Sequence, residues 1–265
     1  MKEVKPKIYL VGKTEALTKG LNEYLTDIGS PEWQYNPEVS GGENLIEAFG
    51  RMCYRSWQPY DESKPEATNP NVTRVRQGNN KYIGHVLEVG HGSIIEHISM
   101  NFIIQNCSRI FTHELVRHRA GTAFSQESLR FVRLDEIRFW VPPDAQNNPL
   151  ARNLFLEAID YMEKTQKKLA EIFEIDKLKD FGIKKRLTSM FRRLAGDGIA
   201  TCIGFTANLR SLRHVIAMRT AEGAEEEMRL IFDEIAQICQ KEYPNVFQDM
   251  SKNDKGEWVF ENKKV

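Results

Sequence analysis

The residues from Arg109 to Val132 hold the densest chemistry of the chain, centred on Arg117-His118-Arg119 and continued by Gln126, Glu127, Ser128, Leu129 and Arg130. This many guanidinium and neutral hydrogen-bonding groups in one stretch suits an anion such as a phosphate, which arginine grips through paired N–H donors. Ile110, Phe111, Leu115 and Val116 recur at helical spacing ahead of the triplet, and Gly121 follows as a stop. The triplet is therefore expected to close a helix. Successive helical side chains point about 100° apart, so these three would serve different ligands or different subunits. The helix dipole also draws positive side chains to a C-terminus, which accounts for one such residue more readily than for three in a row.

A second basic cluster runs Asn208-Leu209-Arg210-Ser211-Leu212-Arg213-His214, with Met218 and Arg219 beyond it. On a helix Arg210, His214 and Met218 share a face. Arg213 reads as part of an ordinary solvated face. The other cations sit among apolar flanks and call for anions, either a ligand or an ion-pair network with Glu225, Glu226 and Glu227. Five of the six histidines lie between His85 and His118. For His85 a hydrogen-bonded, partly buried imidazole is expected. His91, Glu96 and His97 keep a metallohydrolase open as a rival, although neither the HExxH nor the HxxEH spacing is present and a strand is the expected host. No GxSxG elbow surrounds Ser93, Ser125 or Ser128, which leaves a serine hydrolase little support. Gly12-Lys13-Thr14 ends like a phosphate loop, but Lys7 stands where that loop needs a glycine.

The elements that must carry these groups follow from pattern and punctuation. The expected strands are Lys7 to Val11, a segment from Ile98 to Gln105 that alternates apart from Ile103, and Ile137 to Val141 before Pro142-Pro143. Expected helices run from Leu45 to Tyr54, Thr73 to Val89 with Gly90 as stop, Ala151 to Ile175, Ile183 to Leu194, Ile199 to Arg219 and Glu222 to Glu242. Residues 30–42 and 57–72, rich in proline and glycine, read as loops. Strands gather in the first half and helices in the second, which points to an α+β fold with a central, mainly antiparallel sheet and a largely helical C-terminal half.

At 265 residues the chain is long enough for one large domain. Lysine plus arginine and aspartate plus glutamate both total 37, so no global field draws it onto nucleic acid or an anionic membrane, and any anion site is local. Cys53, Cys107, Cys202 and Cys239 are widely spaced with no CxxC pair, which argues against a zinc knuckle or a disulfide framework and for reduced thiols in the cytoplasm. The start of the chain has no signal-peptide apolar run and no stretch approaches membrane-spanning length.

Arg117-His118-Arg119 with Ser128-Leu129-Arg130-Phe131 resembles the signature of the flavin-dependent thymidylate synthases. The likeness extends to His91-Gly92-Ser93-Ile94-Ile95-Glu96-His97, to Glu114-Leu115-Val116, and to Asn208-Leu209-Arg210 through His214 to Arg219. It spans about residues 45–245, and residues 1–44 stand outside it as an N-terminal extension of what is expected to be a single domain. Three departures stand out. The spacer between Arg119 and Ser128 has eight residues, one more than the usual form; Phe131 replaces a common tyrosine; and Ala195-Gly196 replaces Leu-Pro.

The resemblance implies reductive methylation of deoxyuridylate (dUMP) to thymidylate (dTMP), with 5,10-methylenetetrahydrofolate as one-carbon donor, FAD as cofactor, NADPH as reductant and no cysteine nucleophile. It implies that Glu114, Leu115, Val116, Arg117, Gln126, Glu127, Ser128, Leu129, Arg130, Arg192 and Arg219 form the dUMP site. Ser93, Arg117, His118, Arg119, Gln126, Asn208, Leu209, Arg210 and His214 become flavin contacts. The catalytic roles fall to Arg219 at the pyrimidine edge, Ser128 and His91, the last beside the isoalloxazine where it places the folate. It further implies a homotetramer with active sites shared between subunits, and it requires no Rossmann fingerprint. A protein of the same fold that binds nucleotide or flavin without turnover remains the alternative.

Overall fold

The computed structural model describes residues 1–129 and 136–265. In chain order the elements are β1 (Lys2–Glu3), β2 (Lys7–Lys13), α1 (Thr18–Asp27), α2 (Gly41–Tyr54), α3 (Asn79–Glu88), a 3-10 turn over Gly92–His97, β3 (Ser99–Ser108), α4 (Arg109–Leu115) and β4 (Thr122–Gln126). There follow β5 (Arg138–Phe139), α5 (Pro143–Gln146), α6 (Pro149–Ile172), α7 (Phe181–Phe191), a 3-10 turn at Arg192–Leu194, β6 (Ala200–Asn208), α8 (Leu209–Arg219), α9 (Glu226–Glu242), β7 (Met250–Lys252) and β8 (Trp258–Phe260).

The centre is a four-stranded sheet in the order β2-β3-β6-β4, antiparallel at every pairing. The alternation seen after Ile98 puts Met100, Phe102 and Ile104 of β3 beside Ile203, Phe205 and Ala207 of β6 on the buried face. Ile46, Ile83, Val86, Leu212, Ile216, Ile231, Phe232 and Ile235, from α2, α3, α8 and α9, join them in the main core. The opposite face carries the Asn101 Nδ2 to Thr206 Oγ1 hydrogen bond at 2.8 Å and leaves Tyr9, Val11 and Ile103 exposed. One buried and one open face is what period-2 patterning produces in an antiparallel sheet.

The largest departure from the sequence-based expectation is the segment from Ile199 to Arg219, expected as one helix. Its first half is β6, an inner strand. Thr201, Ile203, Phe205 and Ala207 are buried with period 2, but the small residues between them, Cys202 and Gly204, made the run look uniformly apolar. Asn208 ends the strand and caps α8, its side chain accepting from Ser211 N at 2.8 Å. The helix expected from Thr73 starts only at Asn79, after a left-handed Gly78. The 3-10 turn over Gly92–His97 replaces the strand expected to host His91 and His97. A strand, β4, occupies most of the spacer after the triplet, and the β7–β8 hairpin lies beyond the last expected helix. The α+β class stands, but with a sheet whose inner strand β6 comes from the second half of the chain.

Local chemistry explains the boundaries. Ser40 caps α2: its Oγ accepts from Glu43 N at 3.2 Å and its hydroxyl donates to Glu43 Oε2 at 2.9 Å. Gly90 has φ +76° after α3, the left-handed conformation that stops a helix at little cost for glycine.

Candidate active site

The triplet lies one turn beyond where the sequence placed it. Helix α4 ends at Leu115, and the chain unwinds through Arg117 N to Glu114 O (3.3 Å) and His118 N to Leu115 O (3.1 Å). The helical divergence expected of Arg117, His118 and Arg119 therefore does not apply, and all three line one cavity. Gly121 at φ +67° turns the chain from the triplet into β4. A Cβ there would run into Asn208 Nδ2 and Ser211 Oγ. Two further bonds stitch this turn to the start of α8: Asn208 N to Gly121 O at 2.9 Å and Ser211 Oγ to Ala120 O at 2.6 Å.

The cavity, of about 430 Å³, opens between the triplet turn and the first turns of α8, with Asn208, Arg210, Ser211 and His214 across from Arg117 to Gly121. Arg210 is held by Glu96 Oε1 at 2.6 Å and lies over Gly92, where a Cβ would stand 2.7 Å from its Nε. Arg117 and Arg119 are exposed and make no ion pair among the described residues. Unpaired guanidiniums beside the positive end of α8 make a strong anion site.

At the far end of α8, Arg219 donates from Nε to His118 Nε2 at 2.8 Å and from Nη1 to Glu114 Oε2 at 2.6 Å. Because His118 Nε2 accepts, the ring proton sits on Nδ1 and the imidazole is neutral. Its pKa is lowered, first by burial and then by the positive charges of Arg219, His214 and Arg117. Arg219, a cation held between a neutral base and a carboxylate, keeps its Nη2 without a partner among the described residues.

Other predicted residues are placed elsewhere. Gln126, at the end of β4, donates to Thr112 Oγ1 at 2.9 Å; Glu127 N bonds Cys202 O at 2.9 Å, and its carboxylate sits 3.7 Å from Arg138. Ser128 is half-buried, and Leu129 packs with Ile137 and Ile199. Thr122 pairs with Ala207 but Gln126 with Ile203, so Gln126 and the residues after it lie about 16 Å or more along the strand from Asn208. Arg192 sits in the 3-10 turn after α7 and does not line the cavity. Arg130 lies outside the described residues. Leu115 and Leu209 have side chains in the core, and Val116 is half-buried against it. Ser93 and His91 are exposed on and beside the turn that carries Gly92, with His91 stacked on Tyr54 at 5.8 Å and 16°.

One expectation is corrected and two alternatives lose support. Arg213, expected on a solvated face, is 1% exposed and pairs with Asp249 at 2.7 Å. The alternative in which nearby acids neutralise α8 loses two of its three members: Glu225 accepts from Met228 N, and Glu227 accepts from Ser108 N at 2.7 Å while Ser108 Oγ also donates to it. Among the described residues no three His, Cys, Asp or Glu side chains could hold a metal ion, and Glu96, His97 and His91 are engaged by Arg210, Phe49 and Tyr54. The metallohydrolase rival therefore loses its ligand set. Ser211 and the Arg210–Glu96 pairing were not foreseen as parts of the site; the Asn-x-x-Ser spacing of an N-cap was the available signal.

An α+β scaffold that joins a cationic cavity to a tethered arginine suits an anionic ligand. The family described as thymidylate synthase complementing protein matches residues 36–245. The flavin-dependent thymidylate synthase of Mycolicibacterium gilvum is 33% identical over 254 residues, which covers 94% of this chain and 92% of that one. That of Corynebacterium diphtheriae is 34% identical over 222 residues, 82% of each. The crystal structure of the UMP/dUMP methylase PolB from Streptomyces cacaoi, bound with 5-Br dUMP, shares the fold at a TM-score of 0.63 and 14% identity, over 94% of this chain and 96% of that one. The chain belongs to the flavin-dependent thymidylate synthase family.

The residues present fit the flavin that this family name implies. The exposed guanidiniums of Arg117 and Arg119, without an ion pair among the described residues, and the start of α8 together suit a dinucleotide's pyrophosphate.

Proposed function

We propose that the protein makes dTMP from dUMP, with FAD as cofactor, NADPH as reductant and 5,10-methylenetetrahydrofolate as one-carbon donor. The observation that carries this reading is the convergence of Arg117, His118 and Arg119 with Asn208, Arg210 and His214 on one cavity, with Arg219 tied to His118 at its edge. When bound, FAD supplies the hydride that reduces the transferred one-carbon unit to methyl. Arg117 and Arg119 hold phosphate; Asn208, Arg210 and His214 position the flavin. Arg219 offers its free Nη2 to the pyrimidine edge and stabilises the negative charge that develops as uracil N3 gives up its proton. Glu114 and neutral His118 fix the guanidinium plane for that task.

No cysteine serves as nucleophile in this reading. Cys107 and Cys239 are buried and their thiols pushed far up by burial, Cys202 is also raised, and none of the four lines the cavity. Gln126, Ser128, Arg130 and Arg192 are assigned to dUMP. The placement of Gln126 and Ser128 at the other end of β4 and of Arg192 beyond α7 supports a homotetramer in which one subunit's dUMP residues complete a neighbour's flavin cavity. Exposed apolar side chains on α6 and α7, among them Leu150, Leu154, Phe155 and Phe181, favour such subunit contacts. No described helix is long and apolar enough to cross a membrane, which fits a cytoplasmic enzyme.

The test is anaerobic reduction of the FAD-loaded protein by NADPH, followed by dUMP and methylenetetrahydrofolate. Bleaching and then thymidylate are expected. Bound flavin without thymidylate would mark the non-catalytic alternative.

A further inference from the structure

Beyond residue 245, where the family match stops, the β7–β8 hairpin and residues 261–265 fold back onto α8. Arg213 anchors them. Its Nη1 bonds Asp249 Oδ1 and Val246 O, both at 2.7 Å, its Nη2 bonds Asp249 Oδ2 at 2.9 Å, and its guanidinium lies 4.3 Å from the Phe260 ring centre. Asn262 donates to the same Asp249 Oδ2 from N at 3.0 Å and from Nδ2 at 2.9 Å. The chain then passes Gly90, where a Cβ would stand 3.4 Å from Lys264 Cβ, one residue from His91.

Between α8 and this segment lies a second cavity, of about 330 Å³. Ala217 and Ala221 form one wall, Trp258, Phe260 and Lys263 the other, and His214 lines both this cavity and the flavin cavity. Trp258 and Phe260 present a narrow aromatic edge to it, being 8% and 7% exposed. Arg213, in the same wall, has a buried Nε with no acceptor. Lys263 stands exposed with no acidic partner among the described residues. Glu257, the acid nearby, already accepts from Asn253 Nδ2 at 2.8 Å and Glu222 N at 2.8 Å. Such a space admits one substituted aromatic ring with a short anionic chain.

We propose that this cavity receives the p-aminobenzoyl-glutamate portion of methylenetetrahydrofolate, its ring against Trp258 and Phe260 and its carboxylates toward Lys263. The assignment rests on the thymidylate synthase reading. His214 lines this cavity and the flavin cavity alike, and Lys264 passes Gly90, next to His91, the residue expected to place the folate. Trp258, Phe260 and Lys263 thus give the folate a binding surface outside the stretch that defines the family.

Equilibrium dialysis of the FAD-loaded protein against p-aminobenzoyl-glutamate tests the site directly. Ala217→Phe fills the cavity and Lys263→Glu reverses the charge at its mouth; both positions are exposed, and retained flavin absorbance reports an intact fold. Binding should weaken about tenfold in the first and about fivefold in the second, with KM for methylenetetrahydrofolate rising in step and KM for dUMP unchanged. A wild-type protein that makes thymidylate but does not bind the probe, or variants with unaltered probe binding and folate KM, overturn the site. Probe binding that both variants weaken, in a protein that forms no thymidylate, supports the site and overturns the thymidylate synthase reading instead.

Discussion

Arg219 illustrates how single side chains divide the work. Its Nε and Nη1 are fixed by His118 and Glu114, and its Nη2 is left for a ligand. Arg219→Ala should abolish thymidylate formation while FAD absorbance is retained, because Arg219 does not line the flavin cavity; unchanged turnover would remove it from the mechanism. His118 carries a pH signature. Its folded pKa lies below the ordinary histidine value of about 6.5, so between the two values the unfolded chain takes up a proton that the folded chain refuses. Its contribution to stability is present above about pH 6.5 and is lost as pH falls toward the lowered value. Urea midpoints measured downward from neutral pH should decline through that window, and His118→Asn should flatten the decline.

At the scale of elements, the site depends on two turns locked together: the end of α4 with Gly121, and the start of α8 with Asn208. Asn208→Ala removes the cap from Ser211 N and should cost about 1 kcal/mol in thermal or urea unfolding, along with weaker flavin binding. Gly121→Ala should cost about 1–2 kcal/mol or more, since the left-handed backbone and contact with Asn208 and Ser211 both penalise a Cβ. Here the sequence spoke unevenly. Asn208 through Arg219 and the triplet were visible as clusters, and Gly121 as a stop, because each is local chemistry. The strand β6 was not, since Cys202 and Gly204 masked its alternation and its partners β3 and β4 are distant in the chain. The unwinding after Leu115 was equally hidden, because tertiary bonds from Asn208 and Ser211, not a local breaker before the triplet, hold it.

Across the whole molecule, long-range buried charges tie the layers together. Glu227 of α9 takes the amide and hydroxyl of Ser108, which caps α4, and burial lifts its pKa from 4.5 to about 7. The folded state therefore holds a proton that the unfolded state releases, and this stabilisation is lost as pH rises through about 7. Glu227→Gln, which still accepts from Ser108 N and donates to Ser108 Oγ in place of accepting from it, removes the charge and should raise stability above that pH by on the order of 1–2 kcal/mol, seen as a higher urea midpoint. The sequence offered Glu227, with Glu225 and Glu226, as one alternative partner set for the α8 cations, because nearness in the chain was its only guide. Arg213 was misread for the same reason: its partner Asp249 is 36 positions away. The α+β class was legible because the β3 alternation and the periodicity of α6 and α9 are strong on their own.

The claim on which all else turns is that the cavity between the triplet and α8 holds the flavin. A visible-absorption titration with FAD, run on the wild-type protein and on Arg117→Ala, tests it most directly. The account predicts a flavin spectrum perturbed at one FAD per chain in the wild type and affinity lowered about tenfold or more in the variant, as befits loss of a charged hydrogen-bond donor. A wild-type protein that does not bind FAD, or a variant that binds it equally well, would contradict the account.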